Sequence, residues 1–523
     1  MTTVAIDFGT SNTVVSVIEP DTKTAKTVRF PSISRLFKLV NSEADVSEIA
    51  VIPSLVFVRE ANQILLGEQV RSQRLGLAQP NRLFKTFKRD LAATIQPPPR
   101  QIDGCSYSAK LVAERFLEAI WHQLKHLQIH PTQVIFTVPI GAFESYLNWF
   151  RELAIKLEID NVNLIDESTA AALGYAVQQP GSLVLVIDFG GGTLDLSLVR
   201  TAALSGTEVR AEVVAKSDAF LGGEDIDLWI VENYLQRIGS SREAVGPVGW
   251  QNLLELAERL KIRLSSAESA QESWLDEATF MAHELNLNRA QFEEILESRQ
   301  LLEQVRQSLD EVVAIALGKG IQKSQIEQVL LVGGSCLIPA VQQLIVSYFG
   351  RQRVKLDEPF EAVAHGALLL SQITEVKDYL RHSYAIRLWD PYSRSHTYFP
   401  LFEQGNPYPC QRTEPLILQV ASDGQTEIRL DIGEVATVTQ AEVSYDAQGR
   451  MTSAPLRHQE TYRSLEDQQH SICVAHLNPP GQIGVDRISV QFAVTDQRML
   501  IATVRDLLTN KLLIENATVA KLQ

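Results

Sequence analysis

The chain has 523 residues, 45% hydrophobic and 21% charged, an ordinary globular balance for about two to four domains. A net charge of -15 with no basic block argues against nucleic-acid binding, and no apolar run reaches the roughly 18 residues of a membrane span. Cys105, Cys336, Cys410 and Cys473 are scattered without zinc spacing, and the start lacks a charged-then-apolar leader, so a soluble cytoplasmic protein with free thiols is expected.

Near the N-terminus, "AIDFGTSNTVVSV" (5–17) reads as an apolar strand, Asp-Phe-Gly, a loop of small residues, then alternating apolar residues. That pattern predicts a β-hairpin with a glycine and hydroxyl tip. Then "QVIFTVPIGAF" (133–143) predicts a buried strand, a turn and a helix. "DESTAAALGYAV" (166–177) predicts a small-residue helix opening on acids. All three patterns return. "VIDFGGGTLDLSLV" (186–199) is a second hairpin, "QVLLVGGSCLIPAVQQLI" (328–345) a second strand-turn-helix, and "DEPFEAVAHGALLL" (357–370) a second small-residue helix. The chain therefore carries two copies of one α/β unit, and a cleft between such copies is a natural ligand site.

The matched tips suit a polyphosphate. Glycines let backbone N–H groups approach phosphate oxygens with no Cβ in the way, and Thr10, Ser11, Thr13 and Thr193 add hydroxyls. Asp7, Asp188 and Asp195 are hard oxygen ligands of the kind a hydrated Mg²⁺ takes. Glu167 opens a helix and is placed to orient an attacking water. Positioning, a metal and charge neutralisation are most of what phosphoryl transfer needs. One glycine tip alone is an ordinary turn; two with matched aspartates favour phosphate. The chain has no GxxxxGK[ST] and no GxGxxG opening a helix after a strand, so neither a P-loop nor a dinucleotide fold is supported.

These residues resemble the actin-like ATPase superfamily and, within it, the 70-kDa heat-shock chaperones, over about residues 1–375. "DFGTSNT" and "DFGGGTLDLS" resemble the two phosphate loops, and "IDESTAAALGYA" the first connecting helix. "FLGGEDID" (220–227), "AERLKIRLSS" (257–266) and "LVGGSCLIP" (331–339) resemble stretches that set the chaperones apart from actins and sugar kinases. The resemblance implies ATP or ADP with Mg²⁺, and K⁺. It implies that Asp7, Asp188 and Asp195 surround the metal and that Thr193 and Glu167 attend the attacking water. Gly9, Thr10, Ser11 and Asn12, with Gly190, Gly191 and Gly192, would cradle phosphates. Gly223 and Glu224 would meet the ribose side. Glu258, Lys261 and Ser265 would face adenosine, opposite Gly333, Gly334 and Ser335.

The departures are specific. Where the family carries its catalytic lysine, "LLGEQVRSQ" has Arg71, which keeps the charge but is a planar fork rather than a point ammonium. Two arginines that sandwich adenine become Ile262 and Leu337, and an aspartate becomes Phe360, leaving a more apolar base pocket. Arg263, beside Ile262, either substitutes or is an exposed helix residue. The proline of the family's Val-Pro matches Pro139, but the relay arginine eight residues on falls at Leu147.

After Leu370 the texture changes to short alternating runs such as "LILQV", "EIRLDIGE", "VTQAEVSY", "RISVQFAV" and "LIATVRD", which predict an antiparallel β-sandwich. His382, His396, His458, His470 and His476 are dispersed and read as structural or surface residues. The expected layout is an actin-like α/β domain at 1–375 with a central cleft, a linker at 376–386 and an all-β domain at 387–523. The family's acidic leucine-rich linker is not recognisable in "VKDYLRHSY", and no helical lid is expected. The leading expectation is a slowly hydrolysing ATP-binding chaperone whose β-domain takes extended or unfolded polypeptide, with a J-domain helper and a nucleotide exchange factor as implied partners. The alternatives are a non-hydrolysing, nucleotide-gated scaffold for one specific partner, and a small-molecule kinase of the same superfamily.

Overall fold

The computed structural model describes residues 2–522 except 20–21, 23, 41–45, 62, 93–95, 140–143, 177–181, 204–208, 277–279, 372–379, 381–382, 391–394, 404–405, 407, 441–442, 446–450, 454–456, 466–471 and 496–498. The chain divides into two compact units, Met1–Thr374 and Glu375–Gln523.

The first unit opens with β1 (Thr3–Phe8) and β2 (Asn12–Ile18), an antiparallel hairpin, followed by β3 (Ala25–Thr27), β4 (Arg35–Val40) and β5 (Val46–Pro53). Next come β6 (Val56–Glu60), β7 (Gln63–Leu66), α1 (Glu68–Ser72), β8 (Leu83–Phe84), α2 (Phe87–Ala92), β9 (Arg100–Ile102), β10 (Cys105–Tyr107) and α3 (Ala109–His126). The first repeat ends with β11 (Gln133–Val138), α4 (Glu144–Lys156), β12 (Val162–Asp166) and α5 (Glu167–Ala176). A second hairpin, β13 (Leu183–Phe189) and β14 (Leu194–Ala203), leads to β15 (Val209–Ala219), α6 (Gly223–Arg237) and α7 (Arg242–Leu264). Then follow β16 (Ser269–Asp276), β17 (Met281–Asn288), α8 (Arg289–Ser298), α9 (Leu301–Gly318), β18 (Gln328–Val332), α10 (Pro339–Phe349), β19 (Val354–Lys355) and α11 (Ala362–Ser371).

The repetition read in the sequence is present in the strand pairing. One sheet runs β12-β11-β1-β2-β5-β4, with β3 also on β2; the other runs β15-β14-β13-β18-β19. In each, the hairpin's first strand pairs in parallel with the next repeat element: β1 with β11, β13 with β18. Buried on both faces, these parallel strands are almost continuously apolar, as in "QVIFTV" and "LVLVIDF". The small-residue helices α5 and α11 share a core with both sheets, through Ala170, Ala171, Ala364, Ala367, Val184 and Leu330. They approach so closely that a Cβ on Gly366 would lie 1.9 Å from the Ala170 carbonyl oxygen. Asp166 caps α5, accepting from the Thr169 N–H at 2.6 Å and the Ser168 hydroxyl at 3.1 Å. The helix expected over 357–370 starts only at Ala362, because Pro359 cannot continue a helix and gives its carbonyl to the Gly333 N–H at 2.6 Å.

The second unit contains β20 (Ser383–Asp390), β21 (Ser395–Phe402), β22 (Cys410–Gln411), β23 (Leu416–Gln419), β24 (Glu427–Leu430), β25 (Ile432–Gln440), β26 (Val443–Tyr445), β27 (Met451–Ser453), β28 (Arg457–Ser464), β29 (Ile472–His476), β30 (Asp486–Val494), β31 (Met499–Asp506) and β32 (Leu512–Lys521). Its main sheets are β21-β20-β25-β28 and β22-β30-β31-β32, with β23 also on β30, all antiparallel. Inward residues of both, among them Tyr384, Phe402, Ile432, Val490, Phe492 and Val504, share one core, as strict alternation along β30 and β31 requires. β20 begins at Ser383, inside the span expected as linker. Most of "VKDYLRHSY", with His382 and His470, lies outside the described residues, as do the side chains of His458 and Cys473. His396 and His476 are exposed. Among the described residues, Cys105, Cys336 and Cys410 are free thiols. No helix among them is long and apolar enough to cross a membrane.

Candidate functional site

The two glycine tips meet. A Cβ on Gly191 would lie 2.0 Å from Ser11 Oγ, and one on Gly192 3.6 Å from the Thr10 methyl. At position 191 glycine is thus a requirement of close approach. Ser54 pins the first tip, its hydroxyl donating to the Gly9 carbonyl at 2.8 Å and its N–H to the Ser11 carbonyl at 2.9 Å. The start of α6 holds the second. The N–H groups of Gly223 and Glu224 donate to the carbonyls of Gly190 (3.1 Å) and Gly191 (2.8 Å), and Ser335 Oγ donates to the Gly190 carbonyl at 2.8 Å. Ser11 Oγ donates to Glu224 Oε1 at 3.2 Å, joining the tips through a third element. Among the described residues, the N–H groups of Thr10, Ser11, Gly191 and Gly192 find no backbone acceptor. Both tips therefore present donors, and no side chain shields them at the glycines.

Behind the tips the acids gather. Asp188 and Asp195 are register partners across the β13–β14 hairpin, and same-face neighbours in such a pair are close. Asp7, opposite Val14, accepts from Thr137 Oγ1 at 2.7 Å. Glu167, first residue of α5, accepts from Lys88 Nζ at 2.8 Å. Burial raises the Asp188 carboxyl well above its usual range, and Glu167, Asp195 and Asp7 push it further. Burial carries Asp195 to about 6, against the opposing pull of Lys216 and the Thr193 hydrogen bond. Asp7 and Glu167 also rise through burial, with Lys88 opposing. Burial works against the Lys88 charge, but Glu167, Tyr146 and Asp7 together hold its ammonium above the ordinary range.

These donors suit a hydrated divalent ion. Among the described residues no three His, Cys, Asp or Glu side chains are arranged to hold a bare metal. Carboxylates such as Asp7, Asp188 and Asp195 are the donor type taken by an ion that keeps its own waters, as Mg²⁺ does. The accumulated carboxylate charge, offset nearby by Lys88, also calls for an added cation.

Of the expected adenosine-facing residues, Glu258 and Lys261 lie in the last turns of α7 and Ser265 is its C-cap, at helical spacing. That run starts after Gly246, whose φ of 66° breaks the helix just before Pro247. Lys261 Nζ donates to the Gly223 carbonyl at 2.6 Å and pairs with Asp227 at 2.8 Å, tying α7 to α6. Glu258 takes two guanidinium groups, Arg35 at 2.7 Å and Arg71 at 3.7 Å. Burial works against its charge, yet the arginines bring its carboxyl down to about 2. Gly333, at φ 85°, has room for no Cβ: one would lie 2.4 Å from the Phe189 carbonyl oxygen. Phe360 stacks on Phe37 at 4.8 Å, and Arg35 sits 4.3 Å over that Phe37 ring. Arg263 is exposed and pairs with Glu272 at 3.1 Å, so it does not replace the inward residue lost at Ile262. Leu147 is fully buried in the aromatic core of the first repeat.

Three residues at this site escaped the sequence reading: Lys88, Arg35 and Phe37. Lys88 follows Phe87 in a polar run, and Arg35 and Phe37 lie on β4, which no motif marks. Arg71, expected at the catalytic cation's position, lies in α1 with its guanidinium 3.7 Å from Glu258 of α7.

Paired hairpins with matched acids, bare glycine tips and two small-residue helices crossing between the repeats define a nucleotide-handling α/β protein of duplicated plan. Residues 152–385, from within α4 into β20, match the family model described as Hsp70 protein. That match supports membership of the 70-kDa heat-shock family, and with it the actin-like ATPase fold and, in general, a nucleotide-binding chaperone-type function; members of that family use ATP or ADP with Mg²⁺.

Proposed function

We propose that this protein binds ATP or ADP with Mg²⁺ through residues 1–375, hydrolyses ATP slowly, and thereby biases a β-domain at 387–523 that takes extended polypeptide. The observation that carries the reading is the meeting of two glycine tips with unspent N–H donors in front of Asp7, Glu167, Asp188 and Asp195. The tips would cradle the phosphates. Mg²⁺ would supply the charge neutralisation that phosphoryl transfer requires. Glu167, held by Lys88, would orient a water, and Thr193 would support it. Nucleotide can shift the β-domain only by its differential affinity for two states of the protein. The β-domain would hold polypeptide by strand pairing and side-chain pockets. A J-domain helper and an exchange factor are the partner classes this reading calls for, in the cytoplasm.

The deciding experiment is single-turnover ATP hydrolysis with Mg²⁺ and K⁺, with and without an unfolded peptide. Slow turnover that peptide accelerates is the expected result. Tight nucleotide binding with no turnover in either case would favour a nucleotide-gated scaffold for one partner. Two observations favour that second reading: Arg71 is engaged by Glu258, and Leu147 stands buried at the position where the resembled family carries its relay arginine.

A further inference from the structure

We infer that β4 is a strap across the nucleoside end of the cleft, its Phe37 ring laid against the wall a base would use, so that the protein takes its ligand by the polyphosphate and gains little from the base until β4 lifts. This rests on the nucleotide reading above and adds which end of the ligand is recognised.

The sequence of β4 sets the geometry. Arg35 and Phe37 are two residues apart on one strand and so share a face. Their register partners on β5, Val51 and Ile49, are buried in the core common to both repeats, and Phe37 packs on that core. From there the face meets the second repeat. Phe37 stacks on Phe360 at 4.8 Å with the ring planes 18° apart, and Arg35 lies 4.3 Å over the Phe37 ring. Rings in contact leave no room for a base between them. Phe360 in turn lies against the turn between β18 and α10: a Cβ on Gly334 would stand 3.1 Å from its ring. Arg35 continues to Glu258 on α7 at 2.7 Å. One strand of the first repeat thus reaches both walls expected to face adenosine.

The two ends of the site differ in what they have left to offer. At the nucleoside end the polar side chains already have partners in the chain. Glu258 takes Arg35 and Arg71, and Lys261 holds the Gly223 carbonyl and Asp227. Ser265 Oγ donates to the Lys261 carbonyl at 3.2 Å, and Ser335 Oγ to that of Gly190 at 2.8 Å. A base or ribose would have to displace these contacts or do without them. At the glycine tips, by contrast, the N–H groups of Thr10, Ser11, Gly191 and Gly192 find no backbone acceptor among the described residues. The phosphate end is open to a ligand while the nucleoside end is filled by the protein itself.

The strap is placed to lift. Among the described residues β4 ends its sheet and pairs there with β5 alone, so releasing it breaks one ladder, one stack and one ion pair. Elements held by few contacts are the ones that open without global unfolding. A nucleoside that needs β4 lifted binds more weakly in proportion to how seldom it is lifted.

The test uses the full chain and isothermal titration with ATP, GTP and inorganic tripolyphosphate, each in Mg²⁺, with thermal melts to establish folding. Wild-type protein should bind ATP and GTP alike, and within about tenfold of tripolyphosphate. Phe37→Leu and Phe360→Leu each remove one ring and keep an apolar side chain on the core. Each should tighten ATP by about threefold or more and leave tripolyphosphate unchanged. Should either variant fail to fold, Arg35→Met releases β4 from Glu258 without touching the stack and should shift ATP in the same direction. ATP that weakens in a folded ring variant overturns the strap and makes the ring a platform for the base. ATP unchanged in folded variants, or wild-type protein that prefers ATP to tripolyphosphate by far more than tenfold, overturns it as well. Those results leave the nucleotide reading standing; protein that binds neither ATP nor tripolyphosphate, with or without the rings, overturns that reading and the strap together.

Discussion

At the scale of the residue, the site is governed by charge held away from water. Burial pushes the Asp195 carboxyl up to about 6 from its ordinary 3.8. A carboxyl raised in the folded state stabilises the fold below its ordinary value and loses that contribution as pH rises through the folded value. Above about pH 6 the nucleotide-free protein therefore carries an unfavourable charge here, which a cation bound beside it would relieve. Mg²⁺ with nucleotide should raise the melting temperature more at pH 7.5 than at pH 5.5; equal shifts at both would remove Asp195 from the metal set. Asp188→Asn should weaken Mg²⁺-dependent nucleotide binding by about tenfold, and titration calorimetry showing unchanged affinity in Mg²⁺ would count against the assignment. The acids were legible because each ends an apolar strand just before glycine. Lys88 was not legible: one lysine in "FKTFKRDL" looks solvated until Phe87 and Leu91 are seen to turn it inward. Arg35 and Phe37 were hidden similarly, since their partners Glu258 and Phe360 stand more than 200 residues away in sequence.

At the scale of the element, the closest fit in the first unit is between α5 and α11. Glycine at 366 lets the backbones touch, and an added methyl would strike the Ala170 carbonyl oxygen. Gly366→Ala should cost about 1–3 kcal/mol, measured by chemical denaturation, as overpacking does. A loss below a few tenths would mean the crossing adapts freely. Gly191→Ala makes a different case. Its methyl would strike Ser11 Oγ, the far end of a small side chain, so the fold should survive while nucleotide affinity falls. Affinity equal to wild type would show that the tips separate without cost. The small residues of both helices were readable as patterns, while their close contact is a tertiary fact that the pattern does not carry. The late start of α11 was not anticipated, because the hydrogen bond from Gly333 to Pro359 is a tertiary contact.

At the scale of the molecule, the two units have separate cores, one layered α/β and one all-β. Nucleotide with Mg²⁺ should accordingly raise the unfolding transition of the first unit by calorimetry, and a single transition unresponsive to nucleotide would contradict that. The β character of the second unit was plain from alternating strands, while its pairing order was not, since β25 pairs with both β20 and β28 across long connections.

The joining of the glycine tips has a consequence for the order in which the protein is made. Ser11 and its partner Glu224 are separated by 213 residues, and Gly190 and Ser335 by 145. At roughly 5–20 residues per second, a ribosome needs about 10–40 s to pass from the first tip to the residue that fastens it to the second. The first hairpin can pair with β11 well before then. During that interval a nascent chain carries a finished first tip with nothing to close against.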